Sequence, residues 1–172
     1  MSSQPRLTET SYIVLGLLEY LGPATPYDIK QLAQLSTFNF WTLPHTQIYT
    51  ECARLADVGL LAEEREETGR RRRIFSLTAE GSAALEVWRS QPTSKEYELH
   101  DVATLKLFFG ADPRALAASQ IAAHEGRLAF YEELRGRLAQ APAGWSLALE
   151  HGIGHEREFI RFWSALLAGE AP

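Results

Sequence analysis

The chain has 172 residues, 45% of them hydrophobic, which is enough for one or two small domains with a core and excludes disorder throughout. Its formal net charge of -5 disfavours nonspecific binding to polyanions unless positive charge is concentrated in one place. The longest apolar run, residues 12–18, is far shorter than the roughly 20 residues of a membrane-spanning helix, so no membrane association is expected.

The cysteine content narrows the kind of protein further. Cys52 is the single cysteine, which excludes an intrachain disulfide framework and a zinc site built from several thiolates. The chain opens without a recognisable secretion signal, so a cytoplasmic protein is the simplest prediction. Because the sequence shows neither a glycine-rich phosphate loop nor a nucleophile elbow, we expect no cofactor and no catalysis.

Capping signals predict two helices before residue 37. The first begins after Thr8 and stops at Gly22, with aliphatic residues at helical spacing between them. The second begins after Thr25. Pro26 stands just inside it and Asp28 follows three residues after the cap, an arrangement that resembles a capping box.

A third helix is predicted to end at Gly59. Its apolar stripe is formed by Ile48, Cys52, Leu55 and Val58. Its other side carries His45, Thr46, Gln47, Thr50 and Arg54, with Tyr49 beside them. The helix is therefore amphipathic, with one face for the core and one face that is polar.

Four consecutive arginines, Arg70–Arg73, follow this helix within the segment ETGRRRRIFSL. The segment has a break at residues 68–69 and then an apolar stretch that suits a strand, so a short hairpin with arginines at its tip is predicted. Thr78 caps a fourth helix. Three helices, a hairpin and another helix form the order of a winged helix-turn-helix domain.

The second half of the chain is predicted to be helical, which makes the fold class mainly α. Residues 91–98 are polar and contain a proline, so we expect a linker between a winged helix-turn-helix DNA-binding domain (1–90) and an all-helical dimerisation domain (99–172). Asp112 and Pro113 open a long helix. Its apolar stripe is predicted to consist of Ala117, Ile121, His124, Leu128, Tyr131 and Leu138, interrupted near Arg135.

The third helix and the hairpin carry the predicted nucleic-acid chemistry. In a helix-turn-helix the second helix of the pair enters the major groove. Gln47 is able to pair bidentately with adenine, Arg54 with phosphate or guanine, and the threonines with either phosphate or a base. The predicted DNA-binding residues are His45, Thr46, Gln47, Tyr49, Thr50, Arg54, Arg70, Arg71, Arg72, Arg73 and Tyr12.

The arginine run has two interpretations. At the tip of a wing, arginines meet the DNA backbone or the minor groove, where the negative potential favours them. Alternatively, the run is a solvated face whose charges pair across the hairpin with the glutamates at positions 63, 64, 66 and 67.

The C-terminal helices predict a homodimer, because their apolar residues cover more than one face. The predicted dimerisation residues are Leu128, Tyr131, Ile153, Phe159, Ile160, Phe162, Trp163 and Leu166. A twofold dimer sets two recognition helices roughly 34 Å apart, or a multiple of that distance, and therefore predicts a pseudo-palindromic operator.

Two smaller features concern ligands. Trp88 and Trp145 are candidates for a pocket that takes a small aromatic effector, although tryptophan at helical spacing is more often part of a core or an interface. His151 and His155 stand four residues apart on one helical face, but no third ligand is recognisable, so no metal site is predicted.

The residues from 7 to 110 resemble the PadR family of bacterial transcriptional regulators, in particular its longer members with a helical C-terminal domain. The resemblance is carried by four stretches: TETSYIVLGLLEYLGPATPYDIKQL, QIYTECARLADVGLL, GRRRRIFSLTAEGSAALEVW and LHDVATLKLFFG. It implies a homodimeric winged helix-turn-helix protein that binds DNA, usually as a repressor. Some relatives respond to phenolic acids or flat hydrophobic compounds.

The resemblance also implies roles for individual residues. Tyr12, Tyr27 and Tyr49 match recurring tyrosines near the DNA-facing surface, and Gln47 and the wing arginines match binding positions of the family. Thr50 departs from the pattern, because a proline or a charged residue is more usual there. An alternative to a DNA-binding regulator is a winged-helix module for protein–protein interaction, whose arginines meet an acidic partner.

Overall fold

The computed structural model describes residues 6–41, 43–66, 72–96, 98–138 and 141–171. The chain forms two compact units, one within residues 1–95 and one within residues 96–172. The first unit combines four α-helices with a two-stranded hairpin, and helices make up the second, so the predicted mainly α class with a winged helix-turn-helix is confirmed. Among the described residues, no helix has the length and apolarity to cross a membrane.

The first two helices begin where their capping signals predicted. Helix α1 (Glu9–Leu21) follows a capping box of Thr8 and Ser11, in which the Thr8 amide donates to Ser11 Oγ at 2.9 Å. It ends at Gly22, whose φ of 73° lies in a region that favours glycine. Helix α2 (Pro26–Leu35) follows a capping box of Thr25 and Asp28. These boundaries are set locally, which is why the sequence reveals them.

Helix α3 (His45–Asp57) completes the helix-turn-helix. A short 3₁₀ turn, Thr37–Asn39, precedes it and was not predicted. Ile48, Cys52 and Leu55 are fully buried, as the apolar stripe indicated. Val58 is an exception, because it is the C-terminal cap of α3 and remains 40% exposed.

The hairpin consists of β1 (Leu61–Arg65) and β2 (Arg73–Leu77), which are antiparallel. The register places Glu63 opposite Phe75 and Arg65 opposite Arg73. Ala24 forms a bridge to the other edge of β2, with N–O distances of 3.0 and 2.9 Å to Phe75. Because the Phe75 side chain is fully buried, the hairpin is anchored in the core of the first unit.

Helix α4 (Ala79–Ser90) closes the first unit. The Thr78 hydroxyl caps it by accepting from the Gly81 amide at 3.0 Å. Gly81 packs so closely against the chain before β1 that a Cβ atom at this position would lie 2.2 Å from the Leu60 carbonyl oxygen. The core that α4 covers is formed chiefly by Val14, Leu15, Leu18, Ile29, Ile48, Leu55, Phe75 and Leu85.

The second unit contains α5 (Val102–Phe108), α6 (Pro113–Arg137) and α7 (Ala143–Ala168). Helices α6 and α7 pack side by side along most of their lengths. The apolar stripe of α6 is interrupted at the exposed Arg135 as predicted, and the buried Leu134 lies next to it in the sequence. Arg135 points to solvent and pairs with Glu150 of α7 at 2.7 Å.

Candidate nucleic-acid interface

The exposed face of α3 is polar. Thr46, Gln47, Tyr49 and Thr50 are all exposed, whereas Ile48 between them and Cys52 after them are fully buried. The Thr50 hydroxyl donates to the Thr46 carbonyl oxygen at 3.2 Å, which fixes its orientation along the helix. The side chain of His45 lies outside what the structure describes. Helical periodicity therefore brings four of the predicted DNA-binding residues to one surface.

Arg54 belongs to a different environment from the one the sequence predicted. Its guanidinium donates to both carboxylate oxygens of Glu51, at 2.9 and 2.6 Å, and to Ser11 Oγ at 3.1 Å. Ser11 in turn donates to Glu51 at 2.6 Å, and both residues are buried. Arg54 therefore fastens α3 to α1, and these hydrogen bonds occupy the guanidinium that the sequence predicts to face phosphate or guanine.

The cluster of Ser11, Glu51 and Arg54 also controls the charge of its neighbours. Burial raises the pKa of Glu51, but the hydrogen bonds from Arg54 and Ser11 outweigh it and leave this pKa below 4.5. Glu51 is therefore an anion on the side of α3 that contacts α1. Burial, together with that anion, raises the pKa of the Cys52 thiol to about 12.

The wing arginines that the structure describes are paired with glutamates. Arg73 donates to both oxygens of Glu63, at 2.8 and 2.7 Å, and Arg65 donates to the same carboxylate at 2.9 Å. The Arg73 guanidinium also lies over the Phe75 ring, 5.1 Å from its centroid. The hydrogen bonds from Arg73 and then Arg65 lower the pKa of Glu63 to about 2. Glu63 is consequently ionised at neutral pH.

Arg72 is held less closely. Its Nε lies 3.2 Å from Glu66, and its side chain is 65% exposed. Arg70 and Arg71 lie outside the described residues. The pairing across the hairpin that the sequence offered as an alternative thus describes Arg73 well, whereas Arg72 keeps most of its surface available to a ligand.

Two aromatic residues with separately predicted roles stack on each other. Tyr12 of α1 and Trp88 of α4 have ring centroids 4.6 Å apart and nearly parallel planes. Tyr12 thus joins α1 to α4, beside an ion pair between Arg89 and Glu19 at 2.8 Å. The second pocket candidate, Trp145, is half-buried on α7 in the other unit.

Three of the eight predicted dimerisation residues are buried inside the second unit, and the other five are partly buried. Tyr131 and Ile153 form one apolar cluster, with Leu128 packed against it, and Trp163 centres another. Those packed against Trp163 include Phe159, Phe162 and Leu166, while Ile160 is half-buried. The prediction that Tyr131, Ile153 and Trp163 bind a partner is corrected, because α6 and α7 already bury these side chains against each other.

A polar pair that the sequence did not reveal lies in the α6–α7 contact. His124 Nδ1 is 2.6 Å from Glu156 Oε2, and the His124 ring stacks on Phe159 at 4.6 Å. Glu156 is buried although its side chain is polar. His151 and His155 pack with ring centroids 4.3 Å apart. In the part of the chain that the structure describes, no group of three or more acidic, histidine or cysteine side chains is arranged to hold a metal ion.

The geometry defines a class of protein: a winged helix-turn-helix protein with a polar recognition-helix face, a basic hairpin and a separate helical unit. Residues 14–87 match the model of the transcriptional regulator PadR-like family. Residues 100–168 match the model called virulence activator alpha C-term. The resemblance to the PadR-like family of transcriptional regulators that the sequence indicated is thus confirmed.

Similar proteins cover nearly the whole chain. The negative transcriptional regulator PadR of Bacillus subtilis is 25% identical, over 91% of this chain and 94% of its own. The crystal structure of Bacillus subtilis PadR in complex with operator DNA has a TM-score of 0.81, with 23% identity over 96% of this chain and 99% of that chain. The structure of the same protein in complex with p-coumaric acid has a TM-score of 0.77, with 22% identity over 92% and 96%.

Proposed function

We propose that this PadR-like protein is a sequence-specific DNA-binding repressor that binds a pseudo-palindromic operator as a homodimer. The observation that carries the proposal is the exposed face of α3, where Thr46, Gln47, Tyr49 and Thr50 stand on the second helix of a helix-turn-helix. Binding of Bacillus subtilis PadR to operator DNA supports it. The activity that we propose is DNA binding and not catalysis. We also propose that the protein works in the cytoplasm, together with the chromosome.

In this proposal Gln47 forms hydrogen bonds with a base edge. Thr46, Thr50 and Tyr49 contact either a base edge or a phosphate, and a phosphate contact positions the protein on the duplex. Arg70, Arg71 and Arg72 contact phosphate from the wing. Tyr12 contributes indirectly, because its ring is stacked on Trp88.

Selection of bound fragments from random and genomic duplex DNA is the experiment that tests the proposal. The purified protein should retain duplexes that share two half-sites related by a dyad, about one DNA turn or a multiple of it apart. Retention of no duplex would favour the alternative of a protein-interaction module.

The wing assignment is tested by replacing Arg70, Arg71 and Arg72 with glutamine. Operator affinity should fall, and the log–log dependence on salt should flatten by about 0.9 for each phosphate contact that is lost. The matched control replaces Arg137, Arg157 and Arg161 of the second unit, which have the same charge. If the wing variant keeps the slope of the wild type, the wing does not contact phosphate.

We also propose that a small aromatic effector releases the repressor from DNA. The support is that Bacillus subtilis PadR forms a complex with p-coumaric acid and that this chain has aromatic side chains, Trp88 and Trp145, in both units. Tryptophan fluorescence titrated with a panel of phenolic acids should respond to at least one compound, and that compound should weaken operator binding. If no compound of the panel changed the tryptophan fluorescence, the proposal of an aromatic effector would be wrong.

A further inference from the structure

Glu63 stands in the middle of β1, directly opposite Phe75. Residues that face each other across an antiparallel pair share one face of the sheet, and so do residues two positions apart on a strand. Glu63, Arg65 and Arg73 therefore lie on the same face of the hairpin, whereas Glu64 points to the opposite face. One carboxylate is surrounded by two guanidiniums.

The contacts of Glu63 resemble those that a phosphate makes. Arg73 presents two parallel N–H groups, which reach the two carboxylate oxygens at 2.8 and 2.7 Å. Arg65 adds a third hydrogen bond at 2.9 Å. Because the planar guanidinium fits carboxylate and phosphate in the same bidentate way, the donors that Glu63 occupies are those that DNA would need.

Arg73 differs in its contacts and exposure from Arg72, whereas Arg65 makes one hydrogen bond and is 72% exposed. Arg72 makes a single, longer contact of 3.2 Å with Glu66 and is 65% exposed. Arg73 is 40% exposed, and the Phe75 ring stands beneath it. Moving Arg73 to a phosphate requires that two short hydrogen bonds and a cation–π contact be given up, whereas moving Arg72 requires the loss of one weak bond.

Nonspecific affinity for duplex DNA depends on how many phosphates the protein neutralises, and it carries no sequence information. We propose that Glu63 is a specificity-determining residue, which withholds Arg65 and Arg73 from phosphate so that stable binding depends on α3 and on the remaining wing arginines. The inference rests on the proposed DNA-binding function and assigns this carboxylate the task of keeping nonspecific affinity low.

The test compares Glu63→Gln with Glu64→Gln in the full-length protein. Both substitutions change the net charge by the same amount, and Glu64 is exposed on the other face of β1. Binding to a 30-base-pair duplex of random sequence is measured by fluorescence anisotropy as salt is varied. Glu63→Gln should bind this duplex roughly tenfold more tightly at low salt for each phosphate gained, with a log–log slope steeper by about 0.9 per contact. Glu64→Gln should change both quantities far less.

A variant that combines Glu63→Gln with Arg65→Gln and Arg73→Gln identifies the groups responsible. The gain in nonspecific affinity should disappear, because the released guanidiniums are absent. Equal affinities and slopes for Glu63→Gln and Glu64→Gln would overturn the inference.

Arg65→Gln and Arg73→Gln, each in the wild-type background, test the inference without relying on the fold of Glu63→Gln. Each should leave nonspecific affinity as it is in Arg161→Gln, which removes an exposed arginine paired with a glutamate elsewhere. A clear loss relative to that control would show that Arg65 or Arg73 already binds phosphate and would contradict the proposal. If the wild type retained no duplex at all, the proposed function itself would fail, which is a different result from equal behaviour of the two glutamate variants.

Discussion

Cys52 is buried on the inner side of α3, next to the ionised Glu51. Because burial and this anion raise the pKa of the thiol to about 12, the reactive thiolate is scarce at neutral pH. We therefore expect iodoacetamide at pH 8 to label Cys52 only as fast as the first unit unfolds, and rapidly in denaturant. Mass spectrometry measures both rates. Rapid labelling of the folded protein would instead identify Cys52 as a candidate redox switch.

The Ser11 hydroxyl links α1 to the recognition helix through Glu51. Ser11→Ala should lower the free energy of unfolding by about 1–2 kcal/mol, because a buried carboxylate loses one of its donors. Ser94→Ala, in an exposed segment without helix or strand, is the control and should change it by less than about 0.5 kcal/mol. Urea unfolding checks both values. Equal stability of the two variants would contradict a structural role for the cluster.

Glu63 makes the stability of the first unit depend on pH in the acidic range. The pKa of its carboxyl is about 2 in the folded protein because of the hydrogen bonds from Arg73 and Arg65, and its ordinary value is 4.5. Its contribution to stability is therefore complete above pH 4.5 and is lost as the pH falls to about 2. In thermal melts across this range, the wild type should lose more stability than Glu63→Gln. A constant difference between the two would show that Glu63 does not titrate in this window.

At the level of elements, the sequence predicted those features that depend on neighbouring residues. The caps at Thr8, Thr25 and Thr78 and the hairpin are local, and all are confirmed. The exposed face of α3 also followed from helical spacing. The link from Arg54 to α1 did not follow from the sequence, because Ser11 is distant along the chain.

The second unit shows a different limit of sequence patterns. An apolar stripe indicates that a face is buried but not whether the covering helix belongs to the same chain. Tyr131, Ile153 and Trp163 were therefore assigned to a dimer although α6 and α7 bury them within one chain. The burial of Glu156 was not predicted, because an acidic residue is not part of an apolar stripe.

Replacing glycine with alanine should change the free energy of unfolding in opposite directions at Gly81 and Gly16. Gly81→Ala brings a Cβ atom to 2.2 Å from the Leu60 carbonyl oxygen, so it should lower the free energy of unfolding by about 1–3 kcal/mol. Gly16→Ala meets nothing within 4 Å and should raise it by about 0.5–1 kcal/mol, because alanine favours the helix. Chemical denaturation measures both. Stabilisation by Gly81→Ala would mean that α4 does not pack this closely.

At the scale of the whole molecule, we expect proteases to cleave the connection between the two units before they cleave α6 or α7. Residues 91–96 are exposed and form neither helix nor strand, and we propose that residues 91–98 are the linker. Brief digestion with trypsin should therefore cut after Lys95 before it cuts within α6 or α7, and mass spectrometry of the fragments identifies the site. Earlier cleavage inside α6 would indicate that the helical unit, not the linker, opens first.

The C-terminal end of α5 offers a second apolar surface for assembly of the whole protein. The side chains of Leu105 and Phe108, and of Phe109 directly after the helix, are exposed, the last two by 82% and 77%. Apolar surface of this kind is typical of interfaces, and it supports the proposed homodimer although Tyr131, Ile153 and Trp163 are buried within one chain.

The contact between His124 and Glu156 fixes how the two long helices align. Sliding α7 along α6 by one helical turn, roughly 5.4 Å, would separate the imidazole from the carboxyl group and leave the buried Glu156 side chain without this hydrogen bond. Aliphatic residues alone would tolerate such a slip far better. Helices α6 and α7 therefore have a single favoured alignment, which is set by the contact of 2.6 Å between His124 Nδ1 and Glu156 Oε2.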